Sequence, residues 1–366
     1  MALDFRFAIA SDLHLALPHT IWDHPSRFHL VEVSIPSLEA VLEHLSQLDI
    51  DFLLIPGDLT QHGEPDNHIW LQERLGKLPF PVYVIPGNHD VPNLLPNSQS
   101  IGLDDFPFYY GSYGYGDGKK LYYSLKILPQ VRLIGLNSNM FDDRQQQIGR
   151  LDDAQLLWLE EILAKADEEV IMVMVHHNII EHLPGQSHHS MGRRYMLENA
   201  PLLLQLLQKA GVNLVFTGHL HAQDVAYKQG VYDITTGSLV SYPHPYRILH
   251  FYSDFQGKKW LKIKSYRVES LPQWPHLAKM SREWMGDRSF SFMLRLLTES
   301  PLNLPVAEAQ ELAPSLRYFW ADIAQGDGIF DFPQFPPKVR RYFQTFSANN
   351  NGFLAGIDNS AILLIA

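Results

Sequence analysis

A chain of 366 residues, 46% hydrophobic and 19% charged, carries enough apolar side chain for a large core and is not a disordered chain. Its formal charge of -11 argues against a general affinity for nucleic acid, which needs Lys and Arg to displace counterions from phosphates; an anionic substrate stays open, because bound divalent cations invert a local potential. The absence of cysteine excludes disulfides and thiolate metal sites, so any metal is expected to be held by nitrogen and oxygen ligands.

In chain order, Met1 to Ala10 lacks a basic leader followed by a long apolar stretch, and Phe5 to Ala10 reads as a first strand. No run of about 18 apolar residues suggests a transmembrane helix, so a soluble, cytoplasmic protein without membrane insertion is expected. Further short apolar runs are Phe52 to Pro56, Val82 to Pro86, Val131 to Leu136, Val170 to Val175 and Leu214 to Thr217. Such runs suit strands buried on both faces. Between them, Ile35, Leu38, Val41, Leu42, Leu45 and Leu48 recur at helical spacing. Asp152 to Ala166 and Leu202 to Ala210 read as helices too, the second closed by Gly211 as a C-cap. The alternation predicts an α/β fold. Tyr246 to Tyr252 and Trp260 to Val268 read as a hairpin turning at Gln256-Gly257. From Leu271 the chain turns less periodic, rich in aromatic residues and proline. A boundary near 270 is therefore expected, dividing a catalytic unit, 1–270, from a C-terminal extension, 271–366, that caps a pocket or pairs copies of the chain.

The residues that carry chemistry cluster after the strands: Asp12-Leu13-His14, Gly57-Asp58, Gly87-Asn88-His89-Asp90, His176-His177 and Gly218-His219-Leu220-His221. Singly, each has an ordinary explanation, a helix cap, a surface histidine or a polar turn. In open α/β sheets, however, ligands bind outside the carboxyl ends of strands, and loops placed there can converge. The set combines carboxylates, imidazoles and a carboxamide, which suits Mn, Fe, Zn or Co better than a calcium cage. A carboxylate shared between two cations about 3.5–4 Å apart stabilises both the attacking and the leaving oxygen of a phosphoryl group.

The order Asp-x-His, Gly-Asp, Gly-Asn-His-Asp, His, Gly-His-x-His resembles the signature of the calcineurin-like metallophosphoesterases. The resemblance spans roughly Phe5 to Val268, including Gly149-Arg150-Leu151 and Thr236-Gly237-Ser238. It implies a four-layer α-β-β-α sandwich of two mixed sheets flanked by helices, with the loops meeting at one edge. It also implies two divalent or mixed-valence metal ions (Mn, Fe, Zn or Co). One would be held by Asp12, His14, Asp58 and His221, the other by Asp58, Asn88, His176 and His219, with Asp58 bridging. His176 is preferred to His177 because it directly follows Val175, where the family places its ligand. His89 would stand beside the substrate oxygens as charge stabiliser or proton donor. Asp90 would orient His89 or shape the turn, and the nucleophile would be a metal-activated hydroxide.

Within that superfamily, Gln61 stands where purple acid phosphatases have tyrosine, and Asp90 where protein Ser/Thr phosphatases have Glu. Gly57 to Gly63 and Pro81 to Asp90 resemble the small phosphodiesterases acting on cyclic nucleotides and glycerophosphodiesters. Asn178 and the tyrosine-rich stretch Phe108 to Tyr123 depart from that pattern and bear on the substrate. His62, His177, Tyr113 and Arg193 are the candidate substrate contacts. The expected activity is dinuclear hydrolysis of a small-molecule phosphodiester; phosphomonoesterase, DNA nuclease and metal-free scaffold are the alternatives, and homo-oligomerisation is left open.

Overall fold

The computed structural model of the protein describes residues 3–22, 27–117, 119–168, 170–348 and 358–365. Two mixed six-stranded sheets form its centre. The first contains β1 (Asp4–Ile9), β2 (Phe52–Ile55), β3 (Val82–Val84), β12 (Pro245–Ser253), β13 (Lys259–Arg267) and β14 (Ser360–Leu364), in the order β14-β13-β12-β1-β2-β3. The second contains β4 (Tyr123–Leu128), β5 (Val131–Gly135), β8 (Val170–Met174), β9 (Leu214–Thr217), β10 (Asp224–Lys228) and β11 (Val231–Thr235), in the order β10-β11-β9-β8-β5-β4. A small ribbon, β6 (Asn139–Phe141) and β7 (Gln147–Gly149), lies apart.

Strands β2 and β8 are apolar throughout because each of their faces meets a different core. In β5, β8 and β9, Leu133, Met172, Met174, Leu214 and Phe216 pack with Phe7, Phe52 and Leu54 of the first sheet. The alternate residues Ile134, Val173 and Val215 pack against α4 (Asp153–Lys165) and α6 (Ala200–Lys209) through Leu159, Leu163, Leu203 and Leu207. Side chains alternate across a strand, so period two divides one strand between two layers. On the first sheet, α1 (Ser34–Ser46) and α2 (Pro65–Leu75) contribute Leu38, Val41, Leu42, Leu45, Leu71 and Leu75. The Asp152 carboxylate caps α4 by accepting from the amide of Gln155 at 2.7 Å, satisfying one of the free first-turn donors. The result is a four-layer α-β-β-α sandwich, as expected. Short helices α3 (Phe106–Tyr109) and α5 (Ser190–Arg193) lie in the long connections.

Beyond β13 the chain forms α7 (Leu277–Arg288), α8 (Phe290–Thr298), α9 (Val306–Leu312), α10 (Phe319–Gln325) and α11 (Pro337–Gln344). Met293, Leu297, Leu316, Phe319 and Phe343 make a core there, joined by Met191, Leu220 and Ala222 from the preceding part of the chain. β14 then pairs antiparallel with β13, from Trp260↔Leu364 to Lys264↔Ser360. Residues before and after 270 thus share both a core and a sheet. Among the described residues, no helix is long and apolar enough to cross a membrane.

Candidate metal centre

Parallel pairing of β1 with β2, of β2 with β3, and of β8 with β9 points the carboxyl ends of these strands in common directions. Their loops are then tied together by backbone bonds. The amides of Asp12 and His14 donate to the carbonyls of Gly57 (3.1 Å) and Asp58 (2.9 Å), and the Gly218 amide donates to His176 O (3.2 Å). The His219 amide donates to Asp12 Oδ1 at 3.0 Å, and the His89 amide to Asp58 Oδ1 at 2.8 Å. Asp12, His14, Asp58, His219 and His221 all hold a positive φ, of 51, 39, 51, 67 and 57°. Non-glycine residues seldom adopt that region, and where they do the surrounding structure has to impose it. Close approach accounts for two flanking glycines: a Cβ on Gly87 would lie 2.2 Å from Asp58 Oδ1, and one on Gly218 2.5 Å from Asp12 Oδ2.

Two donor sets result, each with its ligand atoms within 4.8 Å of one another: Asp12, His14, Asp58 and His221, and Asp58, His176 and His219. Asp58 belongs to both. Its Oδ2 lies 3.7 Å from His14 Nε2 and 3.5 Å from His176 Nε2, and this buried oxygen has no hydrogen-bond partner. Asn88 Oδ1 lies 3.2 Å from His176 Nε2, and Asp12 Oδ1 lies 3.0 Å from His221 Nε2. The second nitrogen of His176 is engaged by Pro56 O at 2.8 Å, and His219 Nε2 by Arg194 O at 3.2 Å. Such bonds orient the ring and leave its other nitrogen for a cation.

Charge follows the same logic. Burial alone would raise the Asp58 carboxyl, but His176, His89 and His14 hold it well below the usual carboxylate range. Burial lowers His14, His29 and His219, which therefore stay neutral with a lone pair available. Burial also lowers His176, yet Asp58 outweighs it and lifts the ring to about 9, so positive charge is favoured between these two groups. An unpaired carboxylate oxygen between two imidazoles, one of them drawing positive charge toward it, and without sulfur, fits divalent cations of the nitrogen- and oxygen-binding kind.

The expected ligands thus lie together. His177 is turned away from Asp58: its Nδ1 lies 2.8 Å from Ser138 Oγ, while its ring lines the cleft. His89 Nδ1 lies 2.7 Å from the carbonyl of Gln61, and its ring stands edge-on to His14 at 4.6 Å. The expectation that Asp90 orients His89 needs correction. The Asp90 carboxylate accepts from the amides of Leu59 (3.1 Å), Thr60 (2.8 Å) and Gly87 (2.8 Å) and from the Thr60 hydroxyl (3.0 Å). It clamps two ligand loops together, and the Gln61 carbonyl takes the ring N–H. His62 stacks on His89 at 5.2 Å, and Arg193 is exposed at the cleft wall.

Tyr113 is a second correction. It is buried, and its hydroxyl donates to Gln72 O on α2. Tyr110 and Tyr123 are buried in the same core, their hydroxyls paired with His68 Nδ1 (2.9 Å) and Val84 O (3.0 Å): a tyrosine ring packs like any apolar group once its hydroxyl finds a partner. Asn178 is likewise structural, its amide donating to Thr217 Oγ1 at 3.0 Å. Sequence reasoning missed His29, which stacks on His14 at 4.2 Å, and Gln147, whose amide donates to Asn88 O (2.8 Å) and Val91 O (3.0 Å). Neither stands in a motif.

The donors open into a cleft of about 1180 Å³, walled on one side by the ligand loops and on the other by Arg288, Phe290, Phe292 and Trp320. The cleft acids have cations of their own: Glu198 faces Arg150 at 4.0 Å, and Asp287 faces Arg317 at 2.8 Å. The Arg288 guanidinium lies over Trp284 at 3.3 Å and that of Arg194 over Tyr195 at 4.7 Å.

The fold is thus a two-sheet sandwich that carries this ring of donors at one edge. The family model for calcineurin-like phosphoesterases matches residues 5–223, and the chain belongs to that family. It is 27% identical over 187 residues to a probable glycerophosphodiester phosphodiesterase of Arcobacter nitrofigilis, covering 47% of this chain and 56% of that one. It is 28% identical over 222 residues to a probable cyclic nucleotide phosphodiesterase of Synechococcus, covering 60% of this chain and 74% of the relative. The chain thus spans little more than half the length of the first of these relatives. A dimetal phosphatase from Danio rerio shares the fold, with a TM-score of 0.52 and 15% identity, over 72% of this chain and 96% of that one.

Proposed function

We propose that the protein hydrolyses a small phosphodiester, of the cyclic-nucleotide or glycerophosphodiester kind, with two divalent cations bound on either side of Asp58. The observation that supports this most directly is the buried, unpartnered Asp58 Oδ2 between His14 and His176. Asp12, His14, Asp58 and His221 would hold one ion, and Asp58, Asn88, His176 and His219 the other. When bound, the pair supplies neutralisation of the phosphoryl oxygens and acidifies a water for in-line attack.

The remaining steps belong to side chains. The amide of His89 is anchored on Asp58 and its Nδ1–H donates to the Gln61 carbonyl, an acceptor in every protonation state. Nε2 is then the atom that passes a proton to the departing alkoxide. His177, which burial and then His176 push down to about 3, presents a neutral ring to the substrate. Arg193 meets the substrate's outer oxygens, and Phe290, Phe292 and Trp320 keep water from the far wall.

The test is to strip the metals, restore Mn, Fe, Zn or Co separately, and compare bis-p-nitrophenyl phosphate with p-nitrophenyl phosphate. A metal-dependent preference for the diester, lost in Asn88→Ala, is expected. Preference for the monoester would replace this reading with a phosphomonoesterase.

A further inference from the structure

His29 lies outside every motif, on the stretch between β1 and α1, yet its ring lines the cleft beside the metal centre. It stacks face to face on His14, with centroids 4.2 Å apart and planes 15° apart. An imidazole binds a cation through a lone pair in its own plane, so a ring stacked in this way does not share the ion of its neighbour. The contact is one of faces, and what it constrains is the tilt of the His14 ring.

His14 needs that constraint. Its Nε2 faces the centre, 3.7 Å from Asp58 Oδ2 and 3.3 Å from His221 Nε2. Its Nδ1 is buried and has no hydrogen-bond partner among the described residues. A ligating histidine is ordinarily oriented by a bond from its second nitrogen, and His176 and His219 have one, to Pro56 O (2.8 Å) and Arg194 O (3.2 Å). His14 has a second ring laid against it instead.

His29 is itself held firmly enough to serve. Its Nδ1 lies 3.3 Å from Ser241 Oγ. From α7, the Trp284 indole N–H donates to the carbonyl of Phe28 (3.0 Å), and Arg288 Nε donates to that of Arg27 (3.1 Å). On the other side, the Leu30 amide donates to Val240 O at 3.0 Å.

Resting on the dinuclear reading above, we infer that His29 is a positioning residue for the ion held by Asp12, His14, Asp58 and His221: its ring orients His14 through the stack, in place of the missing hydrogen bond. What counts at position 29 is then a flat ring and not a nitrogen.

The test counts metal instead of turnover. Protein is dialysed against a series of buffered free Mn(II) concentrations, and bound metal per folded chain is measured by elemental analysis. His29→Ala removes the ring, while His29→Phe keeps a ring on His14 without a nitrogen. His29→Ala is expected to need about 10–100-fold more free Mn(II) to fill one of the two ions, the usual size of an effect on a ligand's surroundings. His29→Phe is expected to fill both as the wild type does. The shift in His29→Ala should persist in an Asn88→Ala background and vanish in a His221→Ala background; a general loosening of the fold would weaken the remaining ion in both. If the wild type binds two ions and His29→Ala binds them as tightly, the stack is idle. If His29→Phe is as weak as His29→Ala, a nitrogen is at work and not the face of a ring. Either result, or a shift that survives His221→Ala, overturns the inference while the dinuclear reading stands. If the folded wild type binds no metal, both fall.

Discussion

The ring of donors around Asp58 and the network around Arg247 both bury Asp and His side chains, yet their charges are balanced in different ways. Arg247 donates to the carbonyls of Thr235 (2.8 Å), Asp224 (3.3 Å) and Asp358 and to Ser265 Oγ (3.2 Å). His182 sits between Asp224 Oδ2 (2.6 Å) and Asp233 Oδ2 (3.4 Å). Asp233 also accepts from the amides of Ile179 and Ile180 and from the Thr217 hydroxyl. Arg247, His182, Asp224 and Asp233 are absent from the residues with positive φ. Arg247 Nε and His182 Nε2 lack hydrogen-bond partners, but both are donors facing anions or carbonyls; around Asp58, by contrast, the unpartnered atoms are a carboxylate oxygen and His14 Nδ1, and the backbone is held in sparsely populated conformations. Burial and charge alone do not mark a site. Unspent lone pairs on a strained backbone, opening into a cleft, do.

The largest expected effect follows from the one carboxylate common to both donor sets. Asp58→Asn should lower kcat by at least about 10³-fold, the upper cost of losing one charge-stabilising group, and should lower bound metal in elemental analysis. Retained metal and activity would break the comparison at its centre. Next comes the paired network. His182→Leu leaves Asp224 and Asp233 buried without their cation and should cost about 3–5 kcal/mol in chemical denaturation, with bound metal per folded chain unchanged.

The same histidine sets a pH dependence. Burial lowers it, but Asp233 and Asp224 outweigh burial and raise it from 6.5 to about 10. The folded state thus holds this proton more tightly than the unfolded chain does. Its contribution is full below about pH 6.5 and is lost as pH rises through about 10. Unfolding measured between pH 7 and 10 should show that decline in the wild type and a flatter profile in His182→Gln.

Smaller effects sharpen the picture. His89→Asn should lower kcat about 10²-fold, the lower range for a proton donor, with both ions retained. Tyr113→Phe should cost about 1 kcal/mol in denaturation, one hydrogen bond's worth, and leave KM unchanged. A raised KM would return that tyrosine to the substrate pocket.

The ligand-bearing strands were legible because burial on both faces makes them short and continuously apolar, as in Val170–Met174, and because each ends in a polar turn. The edge strands β4 and β10 of the second sheet were not. In β4, Leu125 and Lys126 are exposed, and β10 ends in exposed Tyr227 and Lys228, so neither carries the full apolar signal. Helix α2 was missed because it buries Asn67 and His68 beside Leu71 and Leu75, diluting the periodic stripe. The motif residues came together because their order carries the information. Asp90 and Tyr113 were misjudged because residue type does not say where a carboxylate or a hydroxyl points. His29 left no local trace: what fixes the chain beside it is a hydrogen bond from Trp284 to the carbonyl of Phe28, 256 positions away.

The pairing of β14 with β13 has a consequence for motion. The helical segment that forms the far wall of the cleft leaves the first sheet at β13 and comes back to it at β14, the neighbouring strand. A flap joined at one end can swing about a single hinge. A segment attached at both ends to adjacent strands has no such single hinge. Moving the wall away from the ligand loops would also break the bonds from Trp284 and Arg288 to the carbonyls of Phe28 and Arg27 and open the core shared with Met191 and Leu220.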